Sequence, residues 1–283
     1  MAKTRSIERL TRSRPTLEGA GVHLKRAFGS ADVPRYDPFL MLDDFHSDRP
    51  ADYMAGFPWH PHRGIETVTY MISGEVEHGD SMGNKGVILS GEVQWMTAGS
   101  GIVHQEMPRR QNGTLWGLQL WVNLPASHKM MGPRYRGIRA TDIPSCQLES
   151  GGLVKVVAGS FKGCQGPVRD LIGDPEYLDV SLPSLANFGH DIAKGHTAFA
   201  YVLEGEGRFE RGQKSAIGTE ALLLYGDGDQ VSIRAEKAGL RFILVSGRPL
   251  REPVAWGGPI VMNTQEELQV AFAEYRNGTF IKP

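Results

Sequence analysis

The chain has 283 residues, with 31 Lys and Arg against 32 Asp and Glu, a formal net charge of −1, and two cysteines. That length suits one large or two medium domains, either able to bury a good core. The balanced charge leaves no footprint for bulk binding to nucleic acid or an acidic membrane, and no apolar run approaches the roughly 18 residues of a membrane span.

Cys146 and Cys164 show no CxxC spacing, so neither a disulfide framework nor a cysteine zinc site is expected. The first residues, MAKTRSIERLTRSRPTLEG, lack the apolar core of a secretory signal, and Glu8 and Glu18 argue against a transit peptide. The expectation is a soluble cytoplasmic protein, or a nuclear one in a eukaryote. The 35 glycines and 17 prolines are dispersed along the chain, which suits many short strands joined by tight turns.

In chain order, VHLKRAF (22–28) reads as a strand and PFLMLDDF (38–45) as an apolar one ending in acids. A loop rich in Pro and aromatic residues (46–59) leads directly into His60. ETVTYMI (66–72) is β-branched and aromatic, 76–80 follows, and Ser81-Met82-Gly83-Asn84 carries turn residues. Short strands at 87–89 and 93–96 precede the small-residue turn 97–101, which delivers the chain to His104. LWGLQLWVNL (115–124) is a long strand stopped by Pro125, and 125–144 is the expected linker or crossover. Strands resume at 153–160, 176–183, 198–210, 220–236 and 240–247. Tyr70-Met71-Ile72-Ser73-Gly74-Glu75 matches Tyr201-Val202-Leu203-Glu204-Gly205-Glu206 in pattern, a trace of duplication. Thr264 with Glu267 three residues on is a capping box, and Leu268, Phe272 and Tyr275 follow near helical period, so a helix is expected near 265–276.

The chemistry sits in His60-Pro61-His62 and His104-Gln105-Glu106, with 41 residues between His62 and His104. Positions i and i+2 of a strand share a face, so two such pairs on neighbouring strands can aim four ligands at one point in a small β-barrel. Isolated histidines (His23, His46, His78, His128, His190, His196) carry no such pattern and read as filler. HxH followed after a strand–hairpin–strand by a further His resembles the two-part signature of cupins. There, a first-motif glutamate lies four or five past the second histidine and seven before a glycine. Glu66 is four past His62 but eight before Gly74. Glu106 is therefore the favoured carboxylate, with Glu66 left as a hydrogen-bond partner for a histidine ring. Phe57, Trp59, Met71, Trp95 and Met96 are candidates to line the mouth of the site.

FPWHPHRGIETVTYMISGEVEHGDSMGN, VQWMTAGSGIVHQEMP, LQLWVNLPASHKMMGPRY and PLREPVAWGGPIVMNTQEELQVAFAEYRNGTF together resemble the pirin family, a branch of the bicupins, over nearly the whole chain. The resemblance implies an all-β bicupin of two tandem jelly-roll barrels with a short C-terminal helix. The first barrel spans 1–135 and carries the metal; the second spans 136–283. It implies His60, His62, His104 and Glu106 as metal ligands, with Fe(II) as the usual metal; the donor set itself equally admits Mn, Co, Ni, Cu or Zn. For several members it implies quercetin 2,3-dioxygenase activity, with dioxygen and a small aromatic or enediol-like substrate and Glu106 as the base. Other members act as metal-dependent regulators that bind a transcription factor or a metabolic enzyme. The second half has no HxH before Tyr201 and no histidine in DGDQVSI, so a single metal per chain is expected, in a monomer that makes no direct contact with nucleic acid.

Overall fold

The structure, a computed structural model, describes residues 2–109 and 113–282. The chain forms two compact units, and neither is contiguous. Arg14–Ala140 joins Leu250–Pro283 in a first unit, while Met1–Ser13 joins Thr141–Pro249 in a second.

The first unit is built from two sheets. A seven-stranded sheet runs in the order Arg134–Ile138, Val93–Thr97, Ile65–Ser73, Leu115–Asn123, Phe39–Ser47, Val22–Phe28, Arg14–Glu18, and a four-stranded sheet in the order Phe57–His62, Ile102–Pro108, Val76–Asp80, Lys85–Ile88. Residues from both sheets meet in one apolar cluster, with Val22, Leu24, Phe45, Met71 and Leu115 from the larger and Val76 and Ile88 from the smaller. Burying each such side chain stabilises the fold by about 1.5–3 kcal/mol. Both sheets are open-ended, so the described strands form the expected jelly-roll as two facing sheets, without closing into a continuous barrel.

The second unit repeats the plan. Its main strand path is Ile7–Arg12, Ala221–Tyr225, Thr197–Arg208, Gln230–Gly247, Glu176–Leu182, Leu153–Ala158, Ser145–Gln147. The two seven-strand paths correspond place by place. The matched Tyr70 and Tyr201 motifs fall on the third strand of each. The duplication read from sequence is therefore a duplication of topology. A large apolar cluster in its core includes Val154, Leu178, Ala198, Ala200, Leu223, Phe242 and Leu244.

Three sequence expectations need correction. The division near residue 135 misses an exchange of ends. Ile7–Arg12 pairs with Ala221–Tyr225 in the second unit, and Ile260 bridges to Arg63 in the first. Residues 125–144 are not a plain linker, because Arg134–Ile138 pairs with Val93–Thr97 and Lys129 is buried. Cys146 and Cys164, which showed no framework spacing, form a disulfide; their strands are brought together by a fold that spacing cannot display. The C-terminal helix α1 (Gln265–Arg276) is where the capping box puts it: Thr264 Oγ1 accepts from the Glu267 amide at 3.2 Å, and Glu267 Oε2 accepts from the Thr264 amide at 3.1 Å. Leu268 and Ala271 bury its inner face. No helix among the described residues is long and apolar enough to cross a membrane.

Candidate metal centre

The strand Phe57–His62 pairs antiparallel with Ile102–Pro108, which sets His60 opposite His104 and His62 opposite Ile102. Period-two alternation then turns His60, His62 and His104 to the same side. The turn before His104 is built from small residues because its backbone runs close to neighbours. A Cβ on Gly99, at φ 51°, would lie 2.1 Å from the Met131 carbonyl oxygen. The turn between His62 and the next strand has the same constraint, since a Cβ on Gly64, at φ 79°, would lie 2.0 Å from the Val261 oxygen.

Ring nitrogens of His60, His62 and His104 lie within 4.8 Å of one another, the one such group of three or more potential ligands found among the described residues. The Nδ1 of His60 meets the Pro58 carbonyl at 2.7 Å, and the Nδ1 of His62 meets the Pro259 carbonyl at 2.9 Å. A carbonyl only accepts, so Nδ1 carries a proton in both rings, and in the neutral form of each the Nε2 atom presents a lone pair. Those two Nε2 atoms face each other at 3.1 Å. Both nitrogens of His104 are buried without a partner. Two converging lone pairs beside an orphaned buried imidazole are unfavourable unless a cation sits among them. The donor set fits a metal ion on that ground. Burial, followed by the neighbouring His60, pushes the His62 ring down to about 3, and burial likewise holds His104 well below its usual range. Both rings are therefore neutral and ready to donate.

Glu106 lines the same cavity but lies outside that group of ring nitrogens. Its Oε1 accepts from Thr69 Oγ1 at 2.7 Å and its Oε2 from Gln119 Nε2 at 3.0 Å; Gln119 also donates to Thr69 at 3.1 Å. Glu66, expected beside a histidine ring, instead accepts from Trp95 Nε1 at 3.0 Å and Thr97 Oγ1 at 2.5 Å. Glu66 stands opposite Thr97 and Val68 opposite Trp95, whereas Thr67 and Thr69 alternate to the other face. The off-register count at Glu66 thus corresponds to a side chain on the wrong face of its strand.

The cavity beside the histidines has a volume of about 680 Å³. Phe57 and Trp59 are among the residues that line it. Met71 and Met96 instead belong to apolar clusters, and Trp95 is fully buried against Glu66. The residues that replace them are Trp121, edge-on to His62 with centroids 5.0 Å apart, and Trp256, stacked on Trp121 at 5.8 Å. Sequence reading also passed over His78. Its strand places it opposite Glu106, its Nδ1 accepts from Gln94 Nε2 at 3.0 Å, its Nε2 donates to Asp80 Oδ2 at 3.2 Å, and its ring lies 5.5 Å from that of His104. The spacing His78-Gly79-Asp80 was the available signal, again a pair at i and i+2.

The C-terminal segment supplies the Pro259 carbonyl, and two buried cations hold it there. Lys129 Nζ donates to Gly64 O (2.9 Å), Asn123 Oδ1 (2.7 Å) and Val261 O (3.0 Å), with burial pushing its pKa down to about 8. Arg63 donates to Ser100 O and Phe280 O, lies 4.2 Å over the Phe280 ring, and reaches Glu274 at 2.7 Å.

In the second unit, Gly189 stands opposite Ser232 and Asp191 opposite Gln230, in the strand pairing that corresponds to His60 with His104 and His62 with Ile102. The duplicated fold keeps the frame there and lacks the histidines.

Residues 21–122 match the family described as Pirin, and residues 177–281 match the family described as Pirin C-terminal cupin domain. A pirin-like protein of Caulobacter vibrioides is 43% identical over 277 residues, covering 98% of this chain and 99% of that one. The crystal structure of a quercetin 2,3-dioxygenase from Acinetobacter baumannii superposes with a TM-score of 0.90 at 31% identity, covering 98% of each chain. The bacterial pirin YhhW from Escherichia coli, solved in complex with nickel(II), shares the fold with a TM-score of 0.66 at 24% identity, over 85% of this chain and 99% of that one. With two cupin units, three converging histidines and full-length likeness of this degree, the chain belongs to the pirin family.

Proposed function

We propose that this protein is a mononuclear metal-dependent dioxygenase that opens flavonols such as quercetin. His60, His62, His104 and Glu106 would hold the metal, which is Fe(II) on this reading. The observation that carries it is the pair of Nε2 lone pairs 3.1 Å apart beside the partnerless, buried His104. The relative solved as a quercetin 2,3-dioxygenase supports the substrate class. A nitrogen-rich set without cysteine suits a reactive first-row ion better than a closed structural zinc site.

When bound, such an ion acidifies a coordinated hydroxyl and brings dioxygen and the organic substrate together. The chain's own residues do the rest. Glu106 would take the proton of the flavonol 3-hydroxyl, a role supported by the hydrogen bonds that Thr69 and Gln119 give to its two oxygens. Trp121, with Trp256 stacked on it, would give a flat substrate one aromatic wall and shield its heterocycle from water. The overall reaction consumes one flavonol and one dioxygen and yields one depside and one carbon monoxide, so atoms balance without a further reductant.

Aerobic incubation of the Fe(II)-loaded protein with quercetin tests this. The expected result is loss of the flavonol absorbance with release of carbon monoxide. Unchanged absorbance with a loaded site would overturn it in favour of the metal-dependent regulator.

A further inference from the structure

A row of polar side chains crosses the larger sheet of the first unit. Arg26 stands opposite Asp43, Asp43 opposite Gln119, Gln119 opposite Thr69, and Thr69 opposite Gln94. Residues directly opposite across strands share a face, so these five form one continuous polar line in an otherwise apolar sandwich. The middle of the row, Thr69 and Gln119, holds Glu106. Its far end is Arg26, whose Nε and Nη2 donate to Asp43 Oδ1 and Oδ2 at 2.8 and 2.7 Å, and whose Nη2 also lies 2.8 Å from Glu18 Oε1.

Glu18, Arg26 and Asp43 line the same cavity as His60, His62 and Glu106. With strands about 4.8 Å apart, the Arg26 strand lies roughly 10 Å from that of Gln119. Between the two ends the walls are aromatic or apolar: Leu24, Met41, Phe45, Phe57, Trp121 and Trp256. The cavity thus combines a histidine end, apolar and aromatic lining and a charged end.

On the reading that the histidine end takes a flavonol, we infer that the Glu18–Arg26–Asp43 group is a distal subsite that reads hydroxyl groups on the part of the substrate remote from the metal. Two carboxylates and one guanidinium leave the group with a net negative charge, so it offers acceptors. A carboxylate has about four lone-pair positions, and the contacts to Arg26 use two on Asp43 and one on Glu18. Glu18, whose side chain is 41% exposed, has the most left over. A neutral phenolic hydroxyl satisfies such an acceptor, and an anionic group does not. The preferred substrate is therefore a polyhydroxylated flat aromatic, distinguished from one that carries only the metal-binding oxygens.

The test compares quercetin with 3-hydroxyflavone, which keeps the 3-hydroxyl and 4-keto oxygens and lacks all other hydroxyls. Binding to the Fe(II)-loaded protein is followed without oxygen by quenching of tryptophan fluorescence, so no turnover is needed. Wild type should bind quercetin at least tenfold more tightly, the scale of one hydrogen bond to a charged group. Glu18→Gln should shrink the ratio to within about twofold while leaving 3-hydroxyflavone affinity, metal content and melting temperature unchanged. A ratio that survives Glu18→Gln overturns the subsite, as do equal wild-type affinities; both leave the flavonol reading standing. If neither flavonol binds, both readings are overturned.

Discussion

Three histidines can be found by spacing, but what makes them a site is the state of their nitrogens. His60 and His62 each give Nδ1–H to a backbone carbonyl, and the Pro259 carbonyl lies 197 residues from His62, beyond any motif. Glu106 was legible as two beyond His104, whereas Thr69 and Gln119, which hold it, carry no residue type that marks them out. Such outer partners typically change metal affinity or activity by about 10–100-fold. Gln119→Ala should therefore weaken metal binding about tenfold or more in a chelator competition, with the fold intact by circular dichroism; unchanged affinity would deny Gln119 that part.

The same residues predict an acid dependence. His62 in the folded, metal-free protein stays neutral down to about 3, while the unfolded chain takes up a proton below its ordinary 6.5. Between those values the unfolded state binds more protons, so stability is whole above about 6.5 and lost as pH falls towards 3. The slope from this ring is at most about 1.4 kcal/mol per pH unit, or about 2 kcal/mol between pH 6.5 and 5. Denaturant melts of metal-free protein at those two pH values should show the loss, and His62→Gln should flatten it. Equal slopes in both proteins would assign the acid sensitivity elsewhere.

At the scale of elements, hydrophobic and β-branched runs located most of the sandwich strands, because a half-buried strand writes its period into the sequence. Helix α1 was legible for a different reason: its cap is chemical and local. Pairing was not legible. Arg134–Ile138 looked like linker because its sequence, RYRGI, alternates weakly, and only the open edge of Val93–Thr97 makes it a strand. Arg63 shows how one element serves another. It sits between His62 and the Gly64 turn, and its guanidinium ties Ser100, Glu274 and Phe280 together. Arg63→Met should cost about 3 kcal/mol through lost charged hydrogen bonds. It should also loosen the segment that brings Pro259 to His62. Urea melts of the metal-free variant measure the first effect. A metal affinity that falls along with stability, and is not restored by stabilising osmolyte, measures the second. Full stability in Arg63→Met would show that the C-terminal segment is held without it.

At the scale of the whole molecule, each unit borrows a piece from the far end of the chain, and the borrowed strand in the second unit covers an edge. Ile7–Arg12 pairs along Ala221–Tyr225, from Ile7 opposite Tyr225 to Arg12 opposite Ala221. Just before it, Arg5 is 2% exposed, with its guanidinium donating to the carbonyls of Gly228 and His196 at 3.0 and 2.8 Å. Burial pushes the Arg5 pKa down, a cost that Asp227 and Asp229 nearby partly offset. Deleting residues 1–13 would remove the guanidinium that satisfies those carbonyls and bare a row of unpaired backbone groups on Ala221–Tyr225, all five of whose residues are buried. An exposed apolar edge strand is a template for pairing with another chain. The truncated protein should melt several degrees lower and form aggregates on warming, while the intact chain does not. Arg5→Met in the full chain separates the two causes, because it removes the carbonyl contacts and keeps the covering strand. It should lower the melting temperature without promoting aggregation. A truncated chain that stays monomeric and melts with the intact one would show that the borrowed strand is dispensable and that the exchange of ends does not stabilise the second unit.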